Sequence, residues 1–198
     1  MIQVSPDAEL AALLAWYDKV GGVLDFIILR PEEAMESAPF HRAAALAGMA
    51  TLARGRERWA ETHASEEYPV DVFLHVEWDE FRLIGGPVPF STFWGTDDVK
   101  PKPIGERAWS IPSVDGYKTA FFLPPHNLRG SWDEQDRLFN GINASIFGPV
   151  PLACEVYSWS TDWSNYFDAG NEWWGAFYWT VRPIDSNLIV VIGASTTD

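Results

Sequence analysis

The chain has 198 residues, 47% of them hydrophobic, and carries 28 acids against 14 bases for a formal net charge of −14. A chain of this length buries roughly 70% of its unfolded surface, so its core needs no staples, and its composition excludes the collagen-like and disordered classes. A single cysteine excludes a disulfide framework and a Cys-rich metal site, which leaves the acidity and the 11 tryptophans as the distinctive features.

Ser5 as cap, Pro6 in the first turn and the acids Asp7 and Glu9 predict a helix start. Leu10, Leu13, Leu14 and Tyr17 then recur at helical spacing, and Gly21-Gly22 stops the helix. The apolar run 23–29, broken only by Asp25, predicts a buried strand, and Pro31 opens a short acidic helical turn. The Ala-rich stretch 40–61 predicts a long helix, with Gly48 and Gly55 as points where it divides into two pieces. Val70, Val72, Leu74, Val76 and Trp78 alternate with Asp71, Phe73, His75 and Glu77, the pattern of a half-buried strand, which Asp79-Glu80 turns into 81–84.

Residues 85–106 read as a long loop pinned by Phe90, Phe93 and Trp94. Residues 109–112 and 117–123 read as a hairpin around Asp115-Gly116. Ser131 and Glu134 spell a capping box that opens a helix to about residue 146. Residues 153–159, 176–182 and 188–194 are strands, the last two joined by a turn at 184–187. The expected class is α+β: a single domain over 1–198, mainly an antiparallel sheet of about six to eight strands, with N-terminal helices and one later helix packed on one face. Within it, residues 1–66 form a helix-rich layer and residues 67–198 a strand-rich layer.

No nucleotide-binding glycine loop, zincin helix, nucleophile elbow or EF-hand loop occurs, and the four histidines stand singly. No catalytic residue and no cofactor is therefore assigned. Asp71, His75 and Glu77 share one face of the expected strand and are weak candidates for a metal or for acid/base chemistry; a solvated outer face explains them as well. Asp133, Glu134 and Asp136 sit in a first helical turn, where the helix dipole accounts for them. Arg54, Arg56 and Arg58 form a basic cluster, but the net charge opposes nucleic acid, and Glu57 and Glu61 lie within helical reach.

Residues 160–174 stand out, with five aromatic and three acidic side chains between two strands. Asp162, Trp163, Tyr166, Asp168, Asn171, Glu172, Trp173 and Trp174 are the candidate binding residues, because exposed rings with polar handles make recognition surfaces. The competing reading folds Trp163, Phe167 and Trp173 back to close one end of the sheet. Residues 67–198 hold 18 of the acids and eight of the bases, so the aromatic-rich part is also the acidic part.

These features point to a non-enzymatic module for a basic protein partner, met by electrostatic steering, and away from nucleic acid and anionic membranes. In composition the chain resembles the immunity proteins of bacterial polymorphic-toxin systems; the resemblance rests on size, acidity and tryptophan content. It implies an inhibitor of a basic partner. The alternatives are a small-molecule or glycan-binding protein that uses the aromatic loop with 85–106 as a lid, and a carboxylate- or metal-dependent hydrolase. No apolar run approaches the roughly 20 residues that span a bilayer. A reducing, cytoplasmic setting is expected from the lone Cys154 and the lack of a signal-like N-terminus.

Overall fold

A computed structural model describes residues 1–34, 36–65, 67, 69–70, 75–95, 116–148, 154–172 and 174–195. Among these, six strands form one sheet in the order β1-β2-β6-β5-β4-β3, every pair antiparallel. The strands are β1 (Ile2–Gln3), β2 (Leu24–Arg30), β3 (Gly85–Pro87), β4 (Cys154–Trp159), β5 (Ala176–Pro183) and β6 (Ile189–Ser195). The helices are α1 (Ala8–Lys19), α2 (Ser37–His63), α3 (Phe90–Trp94), α4 (Tyr117–Phe122), α5 (Trp132–Phe147) and α6 (Asp168–Asn171). The class is α+β, as the element pattern predicts.

The helices occupy both faces of the sheet, where the sequence suggested one. The cause lies in β6, whose seven residues are all buried. Ile189 and Val191 pack with Phe40, Ala44 and Met49 of α2. Val190, Ile192 and Ala194 pack on the other face with residues of α1, α3, α4 and α5. A strand buried on both sides needs a cover on each.

Several local expectations change. Asp7, not Ser5, caps α1, its carboxylate accepting from the Leu10 N–H at 2.9 Å. Residues 117–122 form helix α4 where a hairpin strand was expected. Tyr117 and the run Thr119 to Phe122 are all buried, and a helix buried all round shows no amphipathic period to read. The other expected hairpin arm, 109–112, lies outside the described residues. The alternating pattern of 70–78 yields no strand at 75–78, only a bridge between Trp78 and Ser164, and 71–74 lie outside the described residues. Residues 80–82 make one 3₁₀ turn instead of a strand, because the Asp79 carboxylate caps the Phe81 N–H at 3.0 Å. The stretch 85–95 is not structureless, since it holds β3 and α3. Phe93 stacks on Tyr117 with ring centres 5.1 Å apart, the pin the sequence suggested. The capping box at Ser131 and Glu134 is present as predicted.

Helix α2 is continuous through both glycines. Gly48 is where it presses on the sheet: a Cβ there would come within 2.7 Å of Val191 Cγ1 and 2.8 Å of the Tyr178 hydroxyl oxygen. That hydroxyl donates to the Ala45 carbonyl at 2.7 Å, which locks helix to strand. At Gly55 nothing lies within 4 Å of a built Cβ. The two glycines should therefore respond oppositely to alanine. Gly48→Ala is expected to cost about 1–3 kcal/mol through overpacking, and Gly55→Ala to gain about 0.5–1 kcal/mol from helix propensity. Urea midpoints of the two variants would measure this.

Candidate functional site

The segment 160–174 divides by side-chain type. Trp163, Tyr166, Phe167 and Trp174 are buried, while Asp162, Asp168, Asn171 and Glu172 are exposed. Trp163 lies 5.7 Å from Tyr178 and 6.2 Å from Phe167, ring centre to ring centre. Trp174 donates its indole N–H to the Leu123 carbonyl at 2.8 Å. Trp163, Tyr166 and Phe167 pack beneath α2, while Trp174 joins the core on the other face of the sheet, so all four are out of a partner's reach; Trp173 lies outside the described residues. The candidate acids thus face solvent without the candidate rings beside them.

The exposed rings come from elsewhere. Ser164 and Asn165 clamp the strand-like stretch 75–79: Asn165 Nδ2 donates to the His75 carbonyl at 2.8 Å, and the Ser164 hydroxyl to the Glu77 carbonyl at 2.7 Å. The Asp79 N–H donates to the Trp163 carbonyl at 2.8 Å. Beyond the 3₁₀ turn, Arg42 of α2 donates to the carbonyls of Glu80 and Leu83 at 2.7 and 2.8 Å. Ser160 N–H and the Ile84 carbonyl close the far end at 2.7 Å. Val76 and Leu83 plug into the core at either end.

With the backbone fixed in this way, Trp78, Phe81 and Ile84 are driven outward. Phe81 is 88% exposed and Ile84 71%. Around them stand Glu77, Asp79, Glu80, Asp162 and Asp168, with Arg82 as the local base, paired to Asp162 at 3.3 Å. Several of these groups ring a shallow depression of about 400 Å³ floored by Trp163 and Ser164. The acids of 162–168 are among the binding residues expected from sequence, whereas in 77–84 only Glu77 is singled out, and as a metal candidate; the signal for the platform is the mixture of aromatic and acidic residues in Glu77-Trp78-Asp79-Glu80-Phe81.

The weak metal candidates do not assemble. His75 and Glu77 are exposed, His75 stands 3.7 Å from Glu57, and Asp71 lies outside the described residues. Among the described residues, no three His, Cys, Asp or Glu side chains group to hold a metal ion.

One histidine is fully enclosed. His41 stacks on Tyr157 at 4.2 Å, shares a 2.7 Å hydrogen bond between Nδ1 and the Thr180 hydroxyl, and sets Nε2 3.9 Å from Glu155. Burial pulls its pKa down to about 4, with Glu155 opposing and Arg182 reinforcing the shift. Its neutral form belongs to the folded state, so stability is full above the unfolded value near 6.5 and falls as pH drops toward about 4. The loss reaches about 3 kcal/mol, and His41→Gln should flatten that limb. Urea titrations at about pH 7 and about pH 4.5 check both statements.

No helix among the described residues is long and apolar enough to cross a membrane. Compared with known proteins, the chain matches no family model, no curated protein and no solved structure.

Proposed function

We propose that the chain is a non-enzymatic protein-binding module whose platform at residues 77–84 and 160–168 docks a basic protein partner, as an immunity-type inhibitor does. The observation that carries the reading is Phe81, a phenyl ring almost fully exposed on a backbone tied down by hydrogen bonds to two other segments, α2 and residues 160–165. A large apolar side chain held rigidly in water loses little entropy on docking and gains the full transfer energy of its ring, which is the behaviour of an interface anchor. The surrounding carboxylates supply the steering field and exclude acidic partners. The lone Cys154 carries no disulfide, and burial raises its thiol pKa to about 11, which suits an unreactive thiol in a reducing, cytoplasmic setting.

The test is affinity capture with the wild-type chain and with a Phe81→Ser/Ile84→Ser variant, starting with the product of the adjacent coding sequence as the first probe. The expected result is one basic protein retained by the wild type at low salt, progressively released as salt rises, and not retained by the variant. Equal retention by both proteins, or retention of an acidic partner, contradicts the reading.

A further inference from the structure

A second cavity, of about 620 Å³, lies away from the platform and shares no residue with the depression there. It opens between α1, β2 and the C-terminal half of α2. Alternate residues of a strand share a face, yet all of 22–27 line this cleft, so it is the edge of β2 that borders it. Strand β1 pairs only with Leu29 and Arg30, and Val4 with the Ile28 carbonyl, which leaves the first half of β2 uncovered on that side among the described residues. Backbone groups of this edge therefore border the cleft, those of Val23 and Leu24 being already bonded to the Tyr17 hydroxyl.

Three further features mark the cleft. Asp25 sits on the strand face that otherwise contributes Ile27 and Leu29 to the core. Its carboxylate accepts from the Tyr166 hydroxyl at 2.7 Å, and burial pushes its pKa above the ordinary carboxylate value. The Tyr166 hydroxyl and the nearby Arg56 charge favour its ionised form but do not outweigh its burial, which leaves it able to take a further cation from the cleft. Next, Gly55 weakens the middle of α2, and the space where its side chain would stand is empty and opens into the cleft. A helical glycine without a packing neighbour leaves room for something else to approach. Finally, in a chain of net charge −14, Arg56 and Arg58 line the same cleft as Asp18 and Asp25, with the half-exposed Trp59 as one wall.

We infer that this cleft binds a small zwitterion of the amino-acid class, its carboxylate on the Arg56 and Arg58 guanidiniums, its ammonium on Asp25, and its side chain against Trp59 over Gly55. Guanidinium forks match a carboxylate, and the free edge of β2 matches the polar backbone of an amino acid. The two bases and two acids leave the cleft near neutral, which suits a ligand of no net charge and not a polyanion.

The test is an NMR titration of the full chain with a panel of free amino acids at up to about 10 mM, well above a millimolar dissociation constant, alongside their N-acetyl and amide derivatives. The inference expects at least one free amino acid to shift the amides of Asp25, Gly55 and Arg56. The derivatives, which lack either charge, should bind at least about tenfold more weakly. Gly55→Leu should stay folded and lose the response, and Asp25→Asn should weaken it. Phe81→Ser should leave the response unchanged, so that the two sites fail or succeed separately. No shift with any free amino acid, or binding that survives Gly55→Leu, overturns the inference.

Discussion

Replacing Phe81 by Ser is expected to weaken partner binding by about thirtyfold or more while leaving the urea midpoint unchanged. The two halves of this expectation have the same cause. Phe81 is 88% exposed, so its ring contributes almost nothing to the folded core, and surface substitutions of that kind stay within about 0.5 kcal/mol. The same exposure means that the whole ring is available to be buried by a partner, and truncated anchor residues cost about 2 kcal/mol or more of binding energy. Neutralising Glu77, Asp79 and Glu80 should act differently. It should slow association and flatten its salt dependence, with a smaller effect on the dissociation rate. Titration calorimetry and stopped-flow kinetics with the captured partner separate the two effects.

Trp163→Ala should show the converse. Its ring is 1% exposed and packs against Phe167 and Tyr178 beneath α2. Removing so large a buried side chain opens a cavity that the neighbouring rings cannot fill, at a cost of about 3–5 kcal/mol. Asp162→Asn and Asp168→Asn, a few residues away and exposed, should leave stability nearly unchanged apart from the loss of a weak surface pair with Arg82. A urea series across the three variants measures the contrast directly. Equal, small effects at all three positions would place Trp163 outside the core.

The particular elements show which physical signals survive in a sequence. The α5 cap was legible because Ser131 and Glu134 act within one turn of each other, so the whole interaction lies in adjacent residues. Strands β4, β5 and β6 were legible from short β-branched and aromatic runs between turn formers. Helix α4 was not, because Tyr117, Phe121 and Phe122 are buried on all sides and their β-favouring side chains carry no period. The helical cover on both faces was not legible either, since it follows from β6 being central, and strand order is set by contacts far apart in the chain. The segment 160–174 is unusual in composition, with five aromatic and three acidic side chains. Whether its rings point in or out depended on α2, more than a hundred residues earlier, offering Met49 and Leu52 to the same cluster as Trp163 and Phe167. Phe81 was hidden for the opposite reason. Its exposure arises from hydrogen bonds donated by Arg42 and from Asp79 capping its own turn, and no hydrophobic pattern records that.

The proposed recognition surface is the rigid platform whose aromatic side chains face out among acids, while Trp163, Trp174 and Trp179 are buried in the core. Hydrogen exchange on the complex with the captured basic partner tests this most directly. The expected footprint is added protection at the backbone amides of 77–84 and 160–165, with α1 and the first half of β2 unchanged. Protection confined to β2 and the cleft beside it, or no added protection at Phe81 and its neighbours, would contradict the account.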